Sequence, residues 1–215
     1  MISALAHELK TPLAVIHSYT EGLQENIADD KRDQYLQTLL EESEQMDALV
    51  MEMLDLSRLE SGRVVLARDR FCLTELAKEV FGRMEKLAKE KGLQVEYELN
   101  RSMEVCADEG RIRQAVRNLA SNAVRYTRTG GRIFVKTAVR DGFCVLTVEN
   151  DAQSFTEEEL GLVWESFYRK DPSREGKGTG LGLAIVRNIM KLHGGGSFVR
   201  NTESGVEFSI RLPQK

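Results

Sequence analysis

Residues Ala6 to Ile16 read AHELKTPLAVI. Leu5, Leu9, Leu13 and Ile16 recur at three- and four-residue steps, the period of an amphipathic helix, yet Pro12 stands inside that pattern. A proline in a helix interior removes a backbone hydrogen bond and kinks the chain, at a cost of ~3 kcal/mol. Outward from this stretch, Ile2, Thr20, Leu23 and Ile27 extend the same stripe until the polar break Asp29-Asp30-Lys31-Arg32-Asp33. A second periodic run follows, through Leu36, Leu39, Leu40, Met46, Leu49, Val50, Met53, Leu54 and Leu56, and Ser61-Gly62 closes it. Two amphipathic helices joined by a short polar loop form an antiparallel hairpin. Such a hairpin has one apolar stripe per helix and no third partner in its own segment. It is expected to pair with a second copy as a four-helix bundle, the alternative being packing on the rest of the chain.

At about 100° per residue, His7 falls about 160° from the centre of the first stripe and is expected to face solvent. Thr11 lies one turn further along the same face, and Glu8 flanks the imidazole. The plain reading is a solvated surface histidine, and His17 fits it. The chemical reading of His7 is a nucleophile, with the adjacent carboxylate orienting the ring or taking its proton. A zinc-protease reading fails, because no second histidine follows at the HExxH spacing.

Bulk composition narrows the classes. The 215 residues leave room for one large or two small domains. A net charge of -4, from 30 Lys plus Arg against 34 Asp plus Glu, gives no support to nucleic acid as a partner. Cys72, Cys106 and Cys144 make no CxxC pair and read as thiols of a reducing compartment. The longest apolar runs are about four residues, far short of the ~20 needed to cross a bilayer.

The grammar changes after residue 61. A helix from about Thr74 ends at Lys91-Gly92, and Leu93 to Tyr97 alternates like a strand. A helix is expected from Glu109 to Tyr126. Strands from Arg132 to Arg140 and Phe143 to Glu149 flank Asp141-Gly142, a hairpin signal. A further hairpin, Ser197 to Glu203 and Val206 to Leu212, turns at Ser204-Gly205. The second half reads as a mixed α/β layer with antiparallel strands.

Two stretches in it carry chemistry. In RQAVRNLASNAVRY, residues 113–126, Asn118 and Asn122 stand one turn apart on one face. An amide oxygen suits a hard cation such as Mg²⁺, and Arg125 supplies positive charge to phosphates. In GTGLGLAIV, residues 178–186, glycines open a helix whose first amides can approach a phosphate. A Rossmann reading fails because a charged loop precedes it, and a Walker A reading fails for want of GKS or GKT. Between the two, Phe167-Tyr168-Arg169-Lys170-Asp171 leads into Pro172-Ser173-Arg174-Glu175-Gly176-Lys177, a polar segment able to close over a ligand.

With these residues quoted, a resemblance is plain. AHELKTPL resembles the H-box of sensor histidine kinases of two-component signalling, and LDLSRLESGRV, residues 54–64, is similar to the end of that family's second hairpin helix. RQAVRNLASNAVRY resembles its N-box, Phe167-Tyr168-Arg169 its F-box and GTGLG its second glycine box. The resemblance implies a dimerisation and phosphoacceptor hairpin over residues 1–61. An α/β sandwich ATP-binding domain of Bergerat type follows over residues 66–215. It implies ATP and Mg²⁺ as cofactors, His7 as phosphoacceptor, Glu8 as general base and Thr11 as the residue positioning a phosphatase water. Asn122 would hold Mg²⁺ with Asn118 beside it, and Arg125, Tyr126, Asn150, Arg169, Gly178, Gly180, Leu181 and Gly182 would bind nucleotide. The phosphoryl group would pass to an Asp of a response regulator receiver domain. The implied assembly is a homodimer, here the cytoplasmic part of a longer sensor in a bacterial inner or plasma membrane, with the membrane segment upstream. His193, in Leu192-His193-Gly194-Gly195, reads as structural.

One box departs from the family. Its usual Asp-x-Gly-x-Gly is replaced by Asn150-Asp151-Ala152-Gln153-Ser154, with Asn150 at the Asp position. Asn keeps an acceptor oxygen and loses the charge that strengthens the bond. A register shift would make Asp151 the reader, on the opposite face of the strand. Degenerate boxes of this kind occur in the family, vancomycin-resistance sensors among them. The altered box motivates one rival, a degenerate kinase acting as phosphatase or regulator-binding module; a second, a Bergerat ATPase without histidine phosphotransfer, would not need His7, and the H-box argues against it.

Overall fold

The computed structural model describes residues 2–25, 31–99, 102–170 and 178–214, without the side chains of residues 2–4 and 7. Two units emerge, residues 1–57 and 58–215.

The first unit is a pair of helices, α1 (Ile2–Gln24) and α2 (Arg32–Glu60), the latter running past the unit boundary. α1 is continuous through Pro12. Near the loop, the Tyr19 and Tyr35 rings meet edge to face at 4.8 Å, and a Cβ on Gly22 would stand 3.1 Å from the Tyr35 ring. Aromatic contact therefore closes that end of the hairpin. Along the rest of it Leu13, Leu36, Leu40, Val50, Met51 and Leu54 remain exposed.

The second unit continues with β1 (Arg68–Cys72), α3 (Leu73–Glu90), β2 (Gln94–Glu98), β3 (Glu104–Asp108) and α4 (Glu109–Tyr126). Then come β4 (Arg132–Arg140), β5 (Phe143–Asn150), α5 (Glu157–Leu162), α6 (Gly182–Leu192), β6 (Gly196–Asn201) and β7 (Val206–Pro213). Five strands form one sheet in the order β2-β4-β5-β7-β6, and β1 pairs antiparallel with β3 in a separate two-stranded sheet. Within the large sheet β2 runs parallel to β4, so the expectation of antiparallel strands is corrected at that edge. The reason is connectivity: β3 and α4 intervene between β2 and β4, and a crossover of that length permits parallel pairing.

Alternation sets the layers. Ile133 and Val135 of β4, Cys144, Leu146 and Val148 of β5, and Val206, Phe208, Ile210 and Leu212 of β7 are buried on one face. Fully burying each large aliphatic side chain stabilises by about 2 kcal/mol. α4 buries Ile112, Ala115, Val116, Leu119, Ala120, Ala123 and Val124, and α6 buries Ala184, Ile185, Val186, Ile189 and Met190. The intervening positions carry cross-strand ion pairs, Lys136–Glu98 at 2.7 Å and Arg200–Glu207 at 2.6 Å, as a one-sided sheet requires.

Asp108 organises the junction of these layers. Its Oδ1 accepts from the Arg111 N–H at 3.0 Å, capping α4, and its Oδ2 accepts from the Ala67 N–H at 3.1 Å. Its own N–H donates to His193 Nε2 at 3.0 Å, while His193 Nδ1 lies 2.8 Å from the Ile189 carbonyl. That pairing requires the neutral Nδ1–H tautomer, and burial pushes the imidazole below its ordinary range. His193 thus ties the end of α6 to the start of α4.

Candidate active site

α4 presents two faces. Opposite its apolar stripe, Asn118, Asn122 and Arg125 fall at i, i+4 and i+7 and line up along one side, Asn118 and Asn122 half-buried and Arg125 exposed. Asn118 Nδ2 donates to the Gly182 carbonyl at 3.0 Å, which fixes the first turn of α6 beside α4. The glycine turn ahead of α6 is held by the same wall. A Cβ on Gly178 would run into Arg125 Nη1, so the guanidinium lies directly against that glycine.

Gly180 is a position only glycine fits. Its φ is +68°, and an added Cβ would stand 2.8 Å from the Phe167 backbone. Phe167 itself has φ +67°, and its N–H donates to the Gly180 carbonyl at 2.9 Å. The strained Phe167 backbone and the glycine turn therefore interlock. Leu181 is fully buried and its N–H donates to Thr179 Oγ1 at 3.3 Å. The structure thus brings Asn118, Arg125, Gly178, Gly180, Leu181 and Gly182 into one wall. Asn122 stands on the same side of α4, and Tyr126, at its last turn, is partly exposed. Arg169 is half-buried, two residues beyond Phe167.

Under the last turn of α4 lies the end of β5. Thr127 Oγ1 donates to the Ala123 carbonyl at 2.6 Å, and the Arg128 N–H donates to the Asp151 carbonyl at 3.0 Å. Asn150 continues the buried face of Cys144, Leu146 and Val148; it is 3% exposed, and its Nδ2 has no hydrogen-bond partner among the described residues. Asp151 is committed elsewhere: its Oδ2 accepts from the Arg132 N–H at 3.1 Å and lies 3.5 Å from Arg128 Nη2. Of the two candidates, Asn150 faces the helices and Asp151 holds the turn.

Three further contributors were not singled out as site residues by the sequence. Asn201 brackets the Phe155 backbone, accepting its N–H at 2.8 Å and donating to its carbonyl at 2.7 Å. A Cβ on Gly205 would collide with the Asn150 carbonyl, so only glycine lets β7 approach that strand end. Lys170 sits 5.0 Å over the Phe155 ring, pairs with Glu159 at 3.3 Å and donates to the Ser154 carbonyl. Together they pin the loop that replaces the glycines of the departing box.

In the other unit, α1 carries Glu8, half-buried, and Thr11, exposed. The His7 side chain lies outside the described residues, as does the polar segment 171–177. His17 pairs with Glu21 at 3.3 Å on an exposed surface, as a solvated histidine does. Among the described residues, no group of three or more His, Cys, Asp or Glu is placed to hold a metal ion, and no helix is long and apolar enough to cross a membrane. Among its described residues, the second unit offers a buried amide without a partner, a glycine turn and a helix face of amides and one arginine, a set that suits a nucleotide.

Comparison with known proteins fits this geometry. The model for the histidine kinase-, DNA gyrase B- and HSP90-like ATPases matches residues 107–215, and that for the His kinase A phospho-acceptor domain matches residues 1–62. The chain is 34% identical over 212 residues to sensor histidine kinase CusS of Escherichia coli O6:H1, covering 97% of this chain and 44% of that protein. It therefore spans less than half the length of that relative. Histidine kinase ThkA, solved with response regulator protein TrrA, superposes with TM-score 0.83 at 26% identity, over 100% of this chain and 61% of that one. Full-length ShkA, solved with AMPPNP, gives TM-score 0.75 at 27% identity, over 98% of this chain and 45% of that one.

Proposed function

We infer what this chain does from the family to which it belongs, the histidine kinase-, DNA gyrase B- and HSP90-like ATPases, here joined in one chain to a His kinase A phospho-acceptor domain. The function is that of a sensor histidine kinase core. Residues 1–61 form the dimerisation and phosphoacceptor hairpin and residues 66–215 the ATP-binding domain. A neutral His7 imidazole nitrogen attacks the γ-phosphorus of ATP, the bond to the bridging oxygen breaks, and ADP leaves. Glu8 takes the proton released from the ring. The phosphoryl group then passes to an Asp carboxylate of a response regulator, and Thr11 positions the water of the reverse, phosphatase reaction.

The observation that carries this reading is the bond from Asn118 to the Gly182 carbonyl, which sets the glycine turn against the amide and arginine face of α4. There Arg125 and the α6 N-terminus neutralise phosphate charge, with Gly178, Gly180, Leu181 and Gly182 giving the backbone close access. Asn122, with Asn118 beside it, would hold Mg²⁺, which when bound screens the charge of the transferring phosphate. Asn150 reads the base, and Tyr126 and Arg169 border the nucleotide. AMPPNP bound to ShkA supports ATP as the ligand, and TrrA bound to ThkA supports a response regulator as the partner. The open apolar side chains of the hairpin support a homodimer through that unit. The chain is the cytoplasmic portion of a longer membrane sensor.

Incubation with Mg²⁺ and γ-labelled ATP tests it. Wild type acquires acid-labile, base-stable label, and His7→Gln and Asn122→Asp do not. Label surviving in His7→Gln sinks the acceptor assignment. An uncharged Asn150 at the base favours a second reading, a regulator phosphatase with weak kinase activity. It is upheld if unlabelled wild type still dephosphorylates a phosphorylated regulator.

A further inference from the structure

Asn150 is the outlier of the nucleotide site. A buried amide donor without a partner costs ~1–3 kcal/mol, and among the described residues Asn150 Nδ2 is such a donor. A ligand acceptor brought to that atom removes the penalty. Among the described residues, the two carboxylates flanking Asn150 are engaged elsewhere. Asp151 is bound to the Arg132 N–H, and Glu149, on the opposite face of β5, accepts from the Ser204 hydroxyl at 2.8 Å. The recognition edge at this strand end is therefore an amide, with a donor and an acceptor side by side, and not an acceptor alone.

That chemistry decides which bases fit. A 6-aminopurine offers an amino donor beside a ring-nitrogen acceptor, and a 6-oxopurine offers a carbonyl acceptor beside a ring N–H donor. A carboxylate satisfies the amino group and repels the carbonyl. A carboxamide satisfies either edge after a half-turn of its terminal group, which exchanges oxygen and nitrogen at little steric cost. We propose that Asn150 makes the site accept 6-oxopurine nucleoside triphosphates as well as ATP. This rests on the reading that Asn150 faces the base. The residue is then a specificity determinant: it widens the phosphoryl donors the chain can use.

Calorimetric titration of the whole chain with ATP and with ITP, both in Mg²⁺, tests this without relying on turnover. ITP is the cleaner probe because hypoxanthine lacks the 2-amino group of guanine. Wild type is expected to bind the two within about tenfold of each other. Asn150→Asp is expected to keep ATP and lose ITP by a further ~30-fold or more, and Asn150→Ala to weaken both. Wild type binding ITP more than about tenfold more weakly than ATP, while Asn150→Ala weakens ATP, overturns the proposal and leaves Asn150 as base reader. Asn150→Ala with both affinities unchanged overturns the base-reading role itself. Circular dichroism checks that Asn150→Asp folds; if it does not, the wild-type ratio and Asn150→Ala still decide.

Discussion

The hairpin leaves large apolar side chains of its stripes in the open, whereas the α/β unit buries the inner face of its sheet beneath helices. Leu13, Leu40, Met51 and Leu54 are each at least half exposed, while Ile133, Val135, Leu146 and Ile210 are fully buried. Two helices have no third element within their own unit to cover their stripes, but a sheet face roofed by α4 and α6 does. The contrast teaches that the sheet face is covered within its own unit while the hairpin's stripes stay open, as the proposed homodimer requires.

The strongest way to break that contrast is to charge the open stripe. Leu40→Glu with Leu54→Glu removes four apolar side chains from a dimer, at about 2 kcal/mol each, and should turn the protein monomeric by light scattering. Nucleotide binding should be unchanged. Loss of nucleotide binding together with the dimer would show that the α/β unit is not self-sufficient. In the closed half, Leu146→Ala should cost about 3 kcal/mol in denaturant unfolding, through lost burial and a cavity, with the hairpin's helicity retained.

Asn118→Ala sharpens the contrast within the site. It removes the bond to the Gly182 carbonyl, so stability should fall by about 1 kcal/mol and nucleotide affinity by roughly tenfold in a titration. The smallest effect concerns pH. His193 is held neutral in the folded protein below its ordinary value of 6.5, so on acidification the unfolded chain takes up the proton first. Its contribution is full above about pH 6.5 and is lost as pH falls from there towards the folded value, by at most ~1.4 kcal/mol per pH unit. Thermal melts from pH 7.5 to 5.5 should show this slope in wild type and a flatter one in His193→Gln.

Much of the fold was legible because the signals are local. The helical period placed Glu109–Tyr126, and Asp141-Gly142 marked a hairpin turn in which both residues have positive φ, 50° and 75°. β1 and β3 went unread because each is five residues long and they pair with each other across more than thirty residues of chain. The six-residue α5 was too short to show a period, although Thr156 and Glu159 form a capping box at its start. Among the site residues, Asn118 and Asn122 declared themselves by spacing, and Gly180 by its motif. Asn201 and Lys170 were read only as part of a strand and of a polar segment, since what they do depends on a loop brought to them from elsewhere.

The sequence by itself determined the two-part organisation, the order of the boxes and the residue types that chemistry needs, because periodicity and spacing are properties of neighbouring residues. Only the tertiary structure decided that Asp151 serves the turn and Asn150 faces the helices, that Asn118 locks α6 in place, and that His193 stays neutral. Each of those depends on which groups water can no longer reach and which partners remain for them, and that is settled only when distant segments pack together.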